Sequence, residues 1–208
     1  LTKITRAIAP LMTVEQLPLR TALGRILASD LHAPADVPNH TNSAMDGYAL
    51  RAADLEPGSP LTVIGTAWAG KPHSGAVANG ECVRIMTGAV MPEHADTVVM
   101  QEQVALLDDK IRVAPGQKTG QHVRHAGEDL AAGELALRAG QRLAPAALGL
   151  IASLGIAEVP VFRRPRVAFL SNGDELRSIG QPLNPGEVYD SNRYTLHGLL
   201  QRAGMDLV

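Results

Sequence analysis

A mixed multidomain fold, α/β plus β, is predicted for this 208-residue chain by three observations. Between Asn39 and Asp129, short β-rich runs alternate with Gly, Pro and Asp, and the chain holds 20 glycines and 14 prolines, the mark of many short strands and turns. Composition breaks flank that stretch, at Pro34 and Pro38 before it and at Arg163-Arg164-Pro165 after it. Arg166–Leu170 (RVAFL) is then a continuous apolar run, followed by a helical pattern and the start of another strand, which is the order of a βαβ unit. With 45% hydrophobic and 19% charged residues, the chain can build buried cores.

Taken in order, Leu1, Ile4 and Ile8 have helical spacing and predict a helix within Leu1–Met12, stopped near Pro10. Leu17, Leu19 and Thr21 alternate as in a strand, Ala22-Leu23-Gly24 suits a turn, and Ile26–His32 can be extended again. Leu61–Thr66, Cys82–Met86, Thr97–Gln103 and Ile111–Val113 read as strands of a small barrel or sandwich, with a hairpin over Leu106–Ile111. Glu134–Leu143 is extended with Gly140 in a turn, and Pro145 at the first helical position opens a helix that Gly155 closes. Ile156–Phe162 returns to a strand. Arg166–Leu170 predicts a strand buried on both faces of a sheet. Leu196, Leu199, Leu200 and Ala203 fall at i, i+3, i+4 and i+7, so a helix is predicted there, capped by Asp190 or Ser191 and ended by Gly204, with Met205–Val208 starting the next strand. One such unit cannot cover both faces of a sheet, and the chain has no initiator Met, so it is expected to be part of a longer protein.

The formal net charge of −2 excludes a broadly basic nucleic-acid binder, and an aromatic content of 3% argues against base-stacking platforms. Cys82 is the sole cysteine, which excludes an intramolecular disulfide and a cysteine-built zinc or iron–sulfur site and is consistent with a reducing, cytoplasmic home. The uncharged stretch Leu143–Ala157 is broken by Pro145, Gly149 and Gly155 and is too short for a bilayer, so no membrane association is expected. Leu1–Ala9 carries Lys3 and Arg6 and no apolar signal-peptide region.

Five stretches could carry chemistry. Asn42–Ala49 (NSAMDGYA) reads either as a hairpin turn or as a loop that displays the Asp46 carboxylate. Arg84–Ala89 (RIMTGA) follows a strand; it is a plain turn, or its Thr87 hydroxyl and free N–H groups hold an oxyanion. Arg124–Asp129 sets a base and two acids around one glycine, and adjacent carboxylates such as Glu128 and Asp129 are costly unless a cation or Arg sits between them. Ser171-Asn172-Gly173-Asp174-Glu175-Leu176 follows the predicted buried strand, where ligands of open α/β sheets collect. Its small residues let a ligand approach the backbone, and Asp174 and Glu175 offer hard oxygens suited to Mg²⁺. Tyr189-Asp190-Ser191-Asn192 opens the following helix, whose N–H groups favour an anion. The residues alone therefore point to an anionic, phosphorylated ligand with Mg²⁺ at a strand end.

The order of these motifs resembles that of the MoeA family, the molybdopterin molybdenumtransferases, whose eukaryotic relatives include the E domain of gephyrin. The resemblance rests on NSAMDGYA (Asn42–Ala49), RIMTGA (Arg84–Ala89), ADTVVMQE (Ala95–Glu102), GED (Gly127–Asp129), SLGIAEV (Ser153–Val159), GDEL (Gly173–Leu176) and YDSNR (Tyr189–Arg193). Thr41, His122 and Asn172 depart from the residues usual there. The resemblance implies Mg²⁺-dependent insertion of molybdenum, from molybdate, into adenylylated molybdopterin. It implies catalytic roles for Asp46, Thr87, Asp129 and Glu175, cofactor binding by Ser171, Gly173, Asp174 and Asp190, and metal binding by Glu175, Asp174 and Asp46. It also implies an extended β-rich linker domain over 14–39 and 130–164 and an inserted small β domain over 40–129. The start of a MogA-like α/β molybdopterin-binding domain would take 1–13 and 165–208, with the rest of that domain and a final β-barrel domain missing. Partners would be a second copy, in a homodimer with a shared cleft, and a delivery protein of the molybdopterin-adenylyltransferase type. A non-catalytic scaffold of the same fold, as in gephyrin, is the alternative.

Overall fold

The computed structural model describes residues 9, 11–56 and 58–208, so the expected helix within Leu1–Met12 lies almost wholly outside the described residues. In chain order the strands are β1 (Val14–Pro18), β2 (Leu31–His32), β3 (Asn42–Ser43), β4 (Gly47–Leu50), β5 (Pro60–Ala67), β6 (Glu81–Ile85), β7 (Thr97–Met100), β8 (Val104–Leu107), β9 (Lys110–Val113), β10 (Val123–Arg124) and β11 (Leu135–Leu137). After helix α1 (Pro145–Ser153) come β12 (Glu158–Phe162), β13 (Arg166–Val167), β14 (Leu176–Arg177), β15 (Val188–Tyr189), helix α2 (Ser191–Arg202) and β16 (Asp206–Leu207). The chain divides into two compact units, His32–Ala136 and the remainder. Among the described residues no helix is long and apolar enough to cross a membrane.

The His32–Ala136 unit is built on a six-stranded sheet in the order β7-β4-β6-β5-β9-β8. Side chains of a strand alternate between faces, and here both faces are packed. Ala49, Val83, Ile85 and Val98 join Ala67, Val77 and Ala89 in one buried cluster. Their neighbours Tyr48, Leu50, Cys82 and Val99 join Leu61 and Ile111 in another. The strands predicted at 61–66, 82–86 and 111–113 are present within a residue or so, and Asp108 turns the β8–β9 hairpin in the left-handed region that Asp tolerates (φ 50°). The strand at 97 stops at Met100 and gives way to a 3-10 turn over Gln101–Gln103.

Two expectations are corrected here. Asn42–Ala49 is not a hairpin turn. Asn42–Ser43 pairs with β10, and after a bend at 44–46 the chain enters β4, every residue of which is buried between β6 and β7. A strand walled on both edges and both faces does not alternate polar with apolar, and Gly47 and Ala49 are poor strand formers, so Gly47-Tyr48-Ala49-Leu50 carries no strand signature.

The second correction lies in the other unit. Arg166–Leu170 is not buried on both faces: only Arg166–Val167 is paired, in parallel with β16, and Leu170 is 90% exposed. Two paired residues and one helix leave most of that apolar run without a cover. The stripe on α2 shares this fate, with Leu196 and Leu199 exposed. The alternation at Leu17, Leu19 and Thr21 is a strand only as far as Pro18, where a 3-10 turn over Leu19–Thr21 takes over. β1 runs antiparallel to β12, Pro145 opens α1, and Gly155 (φ 73°) and Gly204 (φ 75°) end the two helices. Arg25 is buried, donates to the Phe162 carbonyl at 2.7 Å and pairs with Glu15.

Cys82 lies wholly inside the sheet, and burial, aided by the neighbouring Glu81 charge, pushes its thiol up to about 12. Since the thiolate is the nucleophile, the folded protein should resist maleimide at pH 8 and react only as it unfolds in urea. Rapid labelling without denaturant would contradict the packing described.

Candidate functional site

The bend that carries Asp46 is shaped from within. The hydroxyl of buried Ser43 donates to the Met45 carbonyl at 2.6 Å and accepts from the Met45 N–H at 3.2 Å. The Asp46 carbonyl accepts from the Gln101 N–H at 3.1 Å. Asp46 Oδ1 accepts twice from Thr87, from its N–H at 2.8 Å and its hydroxyl at 2.7 Å. These two bonds, the backbone one first, hold the exposed Asp46 carboxyl below its ordinary value. Both Thr87 donors, which the sequence reads either as part of a plain turn or as an oxyanion holder, are directed at Asp46. In this arrangement Thr87 keeps Asp46 ionised and oriented.

The Arg124–Asp129 loop lies beside the same short strand. Arg124 stands opposite Asn42 in the β3–β10 pair, while the Ser43 carbonyl accepts from the Gly88 N–H at 2.8 Å. β3 is thus flanked by the Thr87 loop and by the strand that leads to Asp129. Arg124 reaches both acids, Asp129 at 2.6 Å and Glu128 at 3.4 Å. The Asp129 bond, then the Glu128 bond, raises the Arg124 guanidinium above its ordinary value. The cation that the sequence requires between two acids is therefore Arg124. All three side chains are more than a third exposed, so the pairs order the loop more than they stabilise it.

The remaining candidates belong to the other unit. β14 pairs in parallel with β15, Leu176 opposite Val188, which brings the Gly173–Glu175 loop towards the start of α2. A hollow of about 190 Å³ there is lined by Ser171, Gly173, Arg177, Asp190, Arg193 and Tyr194, among others. Asp190 caps α2, accepting from the Arg193 N–H at 3.1 Å, and pairs with the Arg193 side chain at 3.3 Å. Its carboxyl is held below the ordinary value, first by the Ser171 hydroxyl and then by the Arg193 N–H and charge. Sequence reasoning misses Arg193; its position three residues after an N-cap acid is the available signal. Stability linked to Asp190 is present above the unfolded carboxylate value, roughly pH 3.9, and is lost as pH falls through the lower folded value. Asp190→Ala should lower the thermal midpoint by a few degrees at neutral pH and by less near pH 2. An equal drop at both would refute the capping role.

Asp174 and Glu175 are exposed, and the Glu175 carboxylate folds back on Gly173, where a Cβ would lie 2.6 Å from one oxygen. Among the described residues no three His, Cys, Asp or Glu side chains converge. Mg²⁺ needs no such cage, because one or two carboxylates and substrate phosphate commonly hold it. Adjacent Asp174 and Glu175, with no salt bridge among the described residues, fit that donor set.

A family profile described as the MoeA N-terminal region (domain I and II) matches residues 1–155. This chain belongs to the MoeA family. It is similar to the molybdopterin molybdenumtransferase of Haemophilus influenzae, with 45% identity over 195 residues, covering 93% of this chain and 48% of the relative. It is 41% identical over 196 residues to molybdopterin molybdenumtransferase 2 of Mycobacterium tuberculosis, covering 92% and 48% of the two chains. The crystal structure of a MoeA molybdopterin biosynthesis protein from Pyrococcus horikoshii matches with a TM-score of 0.88 and 34% identity, covering 97% of this chain and 55% of that one. The chain spans about half the length of the curated MoeA relatives it matches.

Proposed function

We propose that this chain is the N-terminal part of a molybdopterin molybdenumtransferase, which inserts molybdenum from molybdate into adenylylated molybdopterin during molybdenum cofactor biosynthesis. The observation that carries the reading is 45% identity, over 93% of the chain, to a protein so named. The side-chain chemistry supports it. Molybdate and the pterin phosphates are anions, so carboxylates cannot attract them directly. Asp174 and Glu175 would instead hold Mg²⁺, which supplies charge neutralisation and polarises the phosphoanhydride to be cleaved. Asp46, kept ionised by Thr87, offers a further hard oxygen through Oδ2. Asp129, fixed by Arg124, orders the loop beside it. Ser171, Gly173 and Asp190 line the hollow that would receive the phosphorylated ligand. Sulfur ligands for molybdenum come from the pterin, so the protein needs no cysteine there. The cleft would be completed by a second copy in a homodimer, and the pterin would arrive from an adenylyltransferase-type partner.

The test is Mg²⁺-dependent adenylate release and molybdenum incorporation by the full-length protein loaded with adenylylated pterin. Glu175→Gln should weaken the Mg²⁺ dependence and slow release by about tenfold or more. Binding of the loaded pterin without any release would favour the scaffold reading and end this one.

A further inference from the structure

Arg84, on β6, contacts both Tyr48 and Gln101 near Asp46. Tyr48 stands opposite both Arg84 and Val99, and Gly47 stands opposite both Ile85 and Met100, so β4 is the middle strand of three. Arg84 Nη1 donates to the Tyr48 hydroxyl at 3.1 Å, and its Cζ lies 5.2 Å from the centroid of that buried ring. Its Nη2 donates to the Gln101 side-chain oxygen. Gln101 in turn donates its backbone N–H to the Asp46 carbonyl. One guanidinium thus spans from β6, across β4, to the residue that follows β7, at the end of the sheet where the chain turns out to Asp46. The third nitrogen, Nε, is buried with no partner among the described residues. An orphaned buried N–H is a cost to folding, so packing alone would favour an apolar chain at this position.

We propose that Arg84 is a positioning residue: its fork locks β4 to Gln101 and so fixes the direction in which the Asp46 carboxylate is presented. The inference rests on the proposed function for its kinetic part and on geometry alone for the rest. Thr87 sets the Asp46 side chain, and Arg84 sets the backbone from which that side chain starts. Lysine cannot replace it, because a single ammonium cannot reproduce the planar fork to Tyr48 and Gln101.

The test uses the full-length protein with Arg84→Lys and Arg84→Met, each alone and combined with Asp46→Asn. Either single variant should lower kcat for molybdenum incorporation about tenfold, the worth of one hydrogen bond to a charged group, with KM for the pterin unchanged. In the Asp46→Asn background neither should cost anything more, because the effect runs through Asp46. Additive losses, or a kcat untouched by Arg84→Met, would overturn the proposal. Should Asp46→Asn itself leave turnover unaltered, the functional reading fails. Amide exchange then decides the positioning alone: the Thr87 and Gln101 N–H groups, both donors to Asp46, should exchange about tenfold faster in Arg84→Lys. Unchanged exchange would refute it.

Discussion

Alanine in place of Gly47 will break the six-stranded sheet at the seam between β4 and β7. The added Cβ would lie 2.0 Å from the Val99 carbonyl oxygen, 2.9 Å from its carbon and 3.0 Å from the Met100 Cα. All three are backbone atoms of the neighbouring strand, so no side chain can swing aside. Gly47 has ladder partners on both edges, Ile85 and Met100, so β4 cannot retreat from β7 without pressing on β6. The least costly escape separates the strands and breaks ladder hydrogen bonds between β4 and β7. That penalty should reach about 3 kcal/mol or more, a large share of the stability of a single domain. Urea unfolding would read it as a lower midpoint at an unchanged slope. The same substitution at Gly149 is the control. Gly149 lies exposed on α1 with no atom within 4 Å of an added Cβ, so Gly149→Ala should stabilise by about 0.5–1 kcal/mol. Equal effects at the two positions would mean that the close approach at Gly47 is not real.

Gly47 also shows where sequence reading runs out. Strands with one polar and one apolar face, or bounded by turn residues, are legible: β5, β6, β9, β12 and the β8–β9 hairpin all lie where the pattern puts them. β4 is not, because a strand covered on every side has no alternation to read, and Gly and Ala are poor strand formers by composition. The opposite error occurs at Arg166–Leu170. Its unbroken apolar run suggests cover on both faces, and periodicity cannot tell whether the covering layers are present in the same stretch of chain. The candidate site divides in the same way. Asp46, Thr87, Asp129, Asp174 and Glu175 each stand out as a residue type in a suggestive loop. The bond between Asp46 and Thr87 does not, since the two lie 41 positions apart and meet through the β4–β6 pairing and the bonds of Ser43 to the Thr87 loop. Arg124 between Glu128 and Asp129 is legible because the electrostatic demand is local.

The Asp46–Thr87 pair leads to the second large effect. On the proposed function, Asp46→Asn should cut molybdenum incorporation by about a hundredfold or more, because it removes charge while leaving an oxygen that Thr87 can still address. The shape of the site is kept, so the loss would report the carboxylate and not a collapsed bend. Thr87→Val is the informative partner. It deletes the hydroxyl donor but keeps the backbone N–H, the larger of the two influences that hold the Asp46 carboxyl below its ordinary value. In the parent protein Asp46 protonates only below the usual carboxylate range, roughly pH 3.9, so activity should persist to that limit on its account. Once the hydroxyl is gone the carboxyl moves back up, and the acid limb of kcat/KM should shift to higher pH without reaching the ordinary value. The accompanying stability has the same sign: present above the unfolded carboxylate value, lost as pH falls through the lower folded one. An acid limb that stays fixed in Thr87→Val, or an Asp46→Asn protein as active as its parent, would separate this pair from the chemistry and leave it a structural latch on the end of β4.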